Sequence, residues 1–333
     1  MSERRTLRVA AVQLEAELGN VDVNLERCER LADEAGRGGA EWIVLPEFFT
    51  TGVAYRPELV DAALAPDGEA TEMMASIATR HGAHVGGSFL ARDPDGHVRN
   101  AFLILSPDGE ILGRHDKDIP TMWENALYIG GDDPGRIDTD GLTVGVALCW
   151  ELMRTQTVER LRGAVDLVAG GSGWWSIPAW PSRWLSAWHE RRNAERATRA
   201  PQRFALHVGA PVIHAAHAGS FSCPWPGIPA NYRGHYEGGA QVVDHNGRVL
   251  AFRDRADGEG VAAAKVEPRR GLGLDSPDRF WLQKRGSIAA LAWAHQNPHG
   301  RRQYRRNVSA APSGDRSGGQ QLVGADDRRA GVL

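Results

Sequence analysis

A succession of short runs of Val, Ile, Leu and Ala, each too brief for a helix and bounded by turn residues, constrains this chain more than any other feature. They are LRVAAVQL at 7–14, WIVLP at 42–46, AHVGGSFL at 83–90, NAFLIL at 100–105, LTVGVALC at 142–149, VDLVAGG at 165–171, PVIHAAH at 211–217, AQVVDHNGRVLAF at 240–252 and VAAAKV at 261–266. Runs of this kind predict strands buried on both faces. Asp108-Gly109 and Asn246-Gly247 supply the positive φ of tight hairpins, so some neighbouring strands are antiparallel. Helical periodicity at 22–36, 70–81, 154–163 and 182–207 joins other strands over crossover distances, which makes further pairs parallel. The sheet is therefore mixed, and about ten to twelve strands exceed what one twisted sheet holds comfortably. The expected fold is α/β, two stacked mixed β-sheets covered by outer helices. Residues 1–270 are expected to form that domain, 271–311 a C-terminal extension packing on it or on a partner, and 312–333 a disordered tail.

Composition excludes several classes of function. Hydrophobic residues make up 42% and charged residues 24% of the 333, the balance of a globular chain with a sizeable core. Lys+Arg 39 against Asp+Glu 42, a net charge of -3, gives no pull toward nucleic acid or an anionic membrane. The N-terminal MSERRTLRVAAVQLEAE has no apolar signal region, and no run approaches the roughly 18 apolar residues of a membrane span, so a cytoplasmic protein is expected. Cys28, Cys149 and Cys223 are too few and scattered for a disulfide framework or a zinc site. His207 and His214 fall on different predicted elements, and no carboxylate stands at ligand spacing from them or from His217, so no metal site is expected there.

Cys149 closes LTVGVALC and is followed by Trp150 and Glu151. The C-terminal end of a core strand faces the crevice where α/β sheets hold ligands, and the next backbone N–H can stabilise an oxyanion. The competing reading is a buried thiol acting as a small hydrophobe. Cys28, in the helical NLERCERLADEA, and Cys223, in the loop SFSCPWPGIP, have no such position. A thiol nucleophile needs a base and a cation. Glu47 directly follows a strand, and Pro46, Phe48 and Phe49 around it predict an apolar pocket that raises a carboxylate's pKa, unless it is a solvated strand-end charge. Lys117 also follows a strand, but Asp116 and Asp118 flank it as in an exposed mixed-charge run. Beside Cys149, Lys117 would lower the thiol's pKa and make it the fastest cysteine to alkylate. Trp174 and Trp175 follow the 165–171 strand, either walling a pocket next to Cys149 or packing in the core.

LPEFFTTG at 45–52, HDKDIP at 115–120 and VGVALCWE at 144–151 resemble, in this order, the three signature segments of the nitrilase superfamily, the carbon-nitrogen hydrolase family; EGGAQVVDHNGRVLA at 237–251 is similar to its later hairpin. The resemblance covers about residues 7–268. It implies a four-layer αββα sandwich and a Glu-Lys-Cys triad at Glu47, Lys117 and Cys149, with a second carboxylate, Glu124, holding substrate and Lys117. It further implies hydrolysis of a small-molecule amide or carbamoyl compound through a Cys149 thioester, with ammonia or an amine released, the Trp150 N–H and Lys117 stabilising the oxyanion, and no metal or organic cofactor. A nitrile substrate, acyl transfer from the same thioester and a catalytically inactive binding scaffold are the alternatives. Cys149-Trp150-Glu151 is similar to the nitrile-cleaving branch, although Glu151 also reads as a helix N-terminal charge. A homodimer or larger oligomer is expected. Its motives are the Trp180, Trp184 and Trp188 stripe with Arg183, Arg191, Arg192 and Arg196 around it, and the apolar Phe280, Trp281, Leu282 and Trp293 beyond the sandwich.

Overall fold

The computed structural model describes residues 6–139, 141–178 and 183–310, side chains at 183–185 and 308–310 excepted. In chain order the elements are β1 (Leu7–Leu14), α1 (Val21–Arg37), β2 (Trp42–Val44), α2 (Glu69–His81), β3 (His84–Arg92), β4 (Val98–Leu105), β5 (Ile111–Asp116), β6 (Arg136–Thr139), β7 (Leu142–Val146), α3 (Thr155–Leu161), β8 (Leu167–Ser172), α4 (Arg183–Val208), β9 (Val212–His217), β10 (Ser220–Trp225), β11 (Ile228–His235), β12 (Ala240–Val243), β13 (Val249–Arg253), β14 (Gly260–Val266) and α5 (Ser287–Ala310). Helices α1 and α2 bury Leu31, Met74 and Ile77 on one face of the strands, while α3 and α4 bury Val158, Leu161 and Phe204 on the opposite outer face. Between them Val9, Ala11, Val44 and Ile104 of one β layer meet Val146, Leu167, Ala169 and Ile213 of the other. That is the expected four-layer αββα sandwich with mixed pairing.

The two β layers are not separate sheets. Strand order runs β5-β4-β3-β2-β1-β9-β8-β7-β6 without a break, because β1 pairs β14 along most of its length, β2 at Val9, Ala10 and Ala11, and then β9 at Gln13↔Ala216 and Leu14↔His217. A long twisted strand can leave one layer and join the next in this way. The join falls at the C-terminal ends of β1 and β9, the end of the sandwich where Glu47 and Cys149 also lie.

Three sequence expectations change. The segment SFSCPWPGIP, expected as a loop holding Cys223, belongs to the β10–β11 hairpin, with Cys223 paired to Tyr232 and buried. Pro224 obscured it, yet in a two-stranded ribbon a missing N–H can face away from the partner. The strand expected at 142–149 ends at Val146, and Cys149 opens a one-turn 3₁₀ helix, Cys149–Met153. Beyond residue 270 the chain forms α5, whose interior Pro298 and aromatic start conceal a helix. Phe280 O accepts from Thr155 N at 3.1 Å, and Trp281 and Trp293 both pack on Trp150, so much of the apolar surface invoked for a partner is covered by the chain itself. Trp188 is 43% exposed, with the Arg192 guanidinium 4.0 Å from its ring centroid. Trp180, the tail at 312–333 and the side chains of Arg183 and Trp184 lie outside the described residues. Among those residues no helix is long and apolar enough to cross a membrane.

Two glycines of β8 let the strand ends converge. A Cβ on Gly170 would stand 2.0 Å from the Ala147 carbonyl oxygen, and one on Gly171 would stand 2.9 Å from Glu47 N. The segments leading to Cys149 and to Glu47 therefore close on β8 from two sides at backbone contact. Gly170→Ala is expected to cost about 1–3 kcal/mol, the usual range for overpacking, or more because the obstacle is backbone. A lowered urea midpoint at unchanged m-value checks this.

Candidate active site

Glu47, Lys117, Glu124 and Cys149 meet at the joined end of the sandwich, all essentially without solvent exposure. Lys117 Nζ donates to Glu47 Oε1 at 2.8 Å and to Glu124 Oε2 at 2.7 Å. A carboxylate oxygen of each glutamate and Cys149 Sγ lie within 4.8 Å of one another. The exposed-run alternative for Lys117 fails because its neighbours turn the other way: Asp116 pairs with Arg114 at 2.7 Å, and Asp118 pairs with Arg154. Equally, Glu47 is no solvated strand-end charge.

Each carboxylate is held by further donors that sequence reasoning did not find. Asn100 Nδ2 donates to Glu47 Oε1 and Gly173 N to Glu47 Oε2, both at 2.9 Å. Glu124 Oε2 also accepts from Thr121 N at 2.9 Å and Tyr128 OH at 2.6 Å, whereas its Oε1 is buried without a partner. Asn100 was visible as a polar residue inside an apolar run; Gly173 and Thr121 act through backbone N–H groups and leave no side-chain signal.

Burial pushes the Glu47 carboxyl up against the opposing pull of Lys117, and the nearby Glu124 adds to the rise, bringing it to about 7. For Lys117 burial acts downward, but Glu124 and Glu47 outweigh it and hold the ammonium well above its ordinary range. The Cys149 thiol is driven well above its ordinary value by burial and then by Glu47, which Lys117 and the Trp150 N–H only partly offset. Lys117 therefore does not make Cys149 a resting thiolate, contrary to the sequence expectation. Burial thus favours the protonated thiol, with a carboxylate oxygen of Glu47 within 4.8 Å of its Sγ.

Backbone strain concentrates at the same place. Among the described residues the non-glycine positions with positive φ are Phe48 at 57°, Met122 at 52° and Cys149 at 48°. One follows Glu47, one lies between Lys117 and Glu124, and one is the cysteine itself. Such conformations persist only where the surroundings over-determine them. Glu151 does this for Cys149: its carboxylate accepts from Leu148 N at 2.8 Å and from Asp118 N at 3.0 Å, tying the Cys149 turn to the residue after Lys117. His115, fully buried, lies 3.2 Å from Glu151 and 2.6 Å from Asp133. Glu151 thus lies in the first helical turn, as its sequence position suggests, and from there it clamps the Cys149 turn.

Trp150, Trp174 and Trp175 line, with Cys149, a cavity of about 310 Å³ that Met122, Trp123, Tyr232 and part of α5 complete. Trp174 Nε1 donates to Asn193 at 3.1 Å, and Trp175 stacks on Trp123 with centroids 4.4 Å apart. Among the described residues two groups have metal-compatible spacing, Glu47–Glu124–Cys149 and Glu190–His235–Glu237. In the first the Lys117 ammonium already bridges the carboxylates. In the second, Glu190 and then Glu237 raise His235 to about 9, so its ring is a donor rather than a ligand. His214 shares a hydrogen bond with Ser172, and His217 Nε2 donates to the Glu47 carbonyl.

The sequence of residues 8–270 matches the model of the carbon-nitrogen hydrolase family, and the chain belongs to that family. Among known proteins it is 30% identical over 169 residues to a nitrilase of Pyrococcus abyssi, covering 49% of this chain and 63% of that protein. It is 27% identical over 192 residues to omega-amidase NIT2 of Mus musculus, covering 54% and 67%. The matched region thus spans under two thirds of the nitrilase. In fold it is similar to a carbon-nitrogen hydrolase from Helicobacter pylori, TM-score 0.64 at 18% identity over 79% of this chain and 90% of that one. A CN-hydrolase superfamily protein from Xanthomonas campestris gives 0.61 at 21% identity over 78% and 90%.

The buried His115 predicts a pH-dependent stability. Burial would lower its pKa, but Glu151 and Asp133 raise it from an ordinary 6.5 to about 10. Its contribution is full below pH 6.5, where the unfolded chain is also protonated. It declines as pH rises toward 10, by at most about 1.4 kcal/mol per unit. His115→Gln leaves Glu151 a buried, unpaired carboxylate and is expected to cost about 3–5 kcal/mol near pH 6. Urea unfolding at pH 6 and pH 9.5 is expected to show the gap between wild type and variant narrowing at the higher pH.

Proposed function

We propose that the protein hydrolyses the carbon–nitrogen bond of a small-molecule amide, with Cys149 as nucleophile, Glu47 as proton carrier and Lys117 as the cation at the oxyanion. The observation that carries this reading is the approach of a raised, buried carboxylate to a neutral thiol beside a buried ammonium. As Sγ attacks the carbonyl carbon, Glu47 takes the thiol proton, and the Trp150 N–H and Lys117 Nζ face the growing negative charge on oxygen. Glu47 then passes the proton to the departing nitrogen, and ammonia or an amine leaves a thioester on Cys149. Water attacks that thioester, giving its proton to Glu47, which returns it to the thiolate as the acid departs.

An amide fits better than a nitrile because Glu124 Oε1 is a buried acceptor without a partner. An amide N–H can satisfy it; a nitrile nitrogen has no hydrogen to donate. The nitrile reading rests on the similarity to the Pyrococcus abyssi nitrilase. No Lys or Arg patch or bound cofactor enters this scheme.

Ammonia release from a panel of amides and nitriles tests the reading, with intact mass to trap the acyl-enzyme. Cys149→Ala is expected to abolish turnover and the mass adduct, and activity above a tenth of wild type removes Cys149 as nucleophile. Glu47→Gln and Lys117→Ala are each expected to lower kcat by at least about 10²–10⁴. Since Glu47 must be ionised to accept the proton, kcat/KM is expected to fall on the acid side with a midpoint near 7 rather than in the ordinary carboxylate range. An acid limb that persists unchanged in a residually active Glu47→Gln protein rules this assignment out.

A further inference from the structure

We propose that the substrate is a neutral aromatic amide whose ring lies in the tryptophan-walled cavity, and that α5 is the wall that selects it. This rests on the reading of Cys149 as nucleophile and specifies what that site accepts. The cavity leads from Cys149 and measures about 310 Å³, at the small end for ligand pockets, enough for one ring and its substituents. Trp123, Trp150, Trp174, Trp175, Trp225 and Tyr232 line it, and such faces favour offset or edge contacts with a planar ring. Among the described lining residues there is no Lys or Arg. A carboxylate or phosphate on the acyl group would be buried without a counter-charge, so a neutral group is selected.

Two lining residues also hold buried polar atoms with no partner, the donor Trp123 Nε1 and the acceptor Gln296 Oε1. Buried polar atoms are rarely left unpaired in folded proteins, and a ring substituent that both donates and accepts, such as a phenol hydroxyl, satisfies either. Gln296 comes from α5, as do Ile288, Leu291 and Ala292, all beyond the residues that match the family model. This wall is preformed. Tyr304 OH accepts from Val98 N at 3.0 Å, and His295 Nε2 donates to the Pro226 carbonyl at 2.9 Å. Gly300 lets α5 close on the turn carrying Glu124, where a Cβ would stand 2.8 Å from that of Asn125.

The test compares phenylacetamide, 4-hydroxyphenylacetamide, acetamide and succinamic acid as substrates of the full chain. Both aryl amides are expected to exceed the other two in kcat/KM by about tenfold to a hundredfold. Ala292→Trp, which fills the cavity from α5, is expected to lower the aryl-to-acetamide ratio by about tenfold. Gln296→Leu is expected to raise KM for the hydroxylated substrate about tenfold relative to phenylacetamide, with the kcat ratio little changed. Binding of phenylacetamide and acetamide to Cys149→Ala, read by calorimetry, gives a measure independent of turnover. A wild-type preference for acetamide or succinamic acid overturns the proposal and leaves the nucleophile standing. Equal binding of aryl amide and acetamide also overturns it. Selective aryl binding without turnover of any of the four keeps the aromatic specificity and removes the catalytic reading.

Discussion

A lysine ammonium buried between two carboxylates is the interaction on which the rest of this structure depends. Desolvating three ionised groups is costly in any interior, and removing one partner of such a set strands the others. Lys117 escapes the penalty because Glu47 and Glu124 lie at hydrogen-bond distance on two sides. The three residues come from the ends of β2, β5 and the 122–126 turn, so the ion cluster fastens separate loops to one point. It also sets the protonation pattern. Burial lifts Glu47 toward neutrality against the pull of Lys117, and burial together with the Glu47 charge raises the Cys149 thiol. A carboxyl raised to about 7 beside a thiol raised above its ordinary value follows from the burial itself.

The surrounding fold exists in a form that makes this convergence possible. β1 leaves one β layer and joins the other through its last residues, so the two layers meet at the end that carries Glu47 and Cys149. Gly170 and Gly171 then admit backbone from both sides of β8. The strained φ angles at Phe48, Met122 and Cys149 follow from forcing three loops into so small a volume. The buried Glu151 and His115, with the half-buried Asp133, form a second ion group behind the cysteine turn, and its carboxylates accept from backbone N–H groups.

The segment after residue 270 joins the site instead of extending away from it. Trp281 and Trp293 seal the outer face of Trp150, and α5 backs onto the turn that carries Glu124. A family domain thus receives part of its cavity wall from outside its matched residues.

Much of the architecture was legible in the sequence because strands buried on both faces must be continuous apolar runs, and a two-layered β core covered by helices is the stable way to bury so many. Glu47, Lys117 and Cys149 were legible as candidates because each directly follows such a run, and the three motifs carry a family resemblance. Local pattern could not decide whether Lys117 faces solvent or the interior, since Asp116 and Asp118 flank it in either case. Only the tertiary structure, by giving those aspartates their own arginines, turned the lysine inward. The β10–β11 hairpin and α5 stayed hidden because each contains a proline that local rules penalise and that their surroundings accommodate. The thiol's protonation, Glu151's role as a clamp and the choice between pocket wall and packed core for Trp174 and Trp175 were also beyond the sequence. Each depends on distances between residues far apart in the chain, and burial and charge act through space rather than along it.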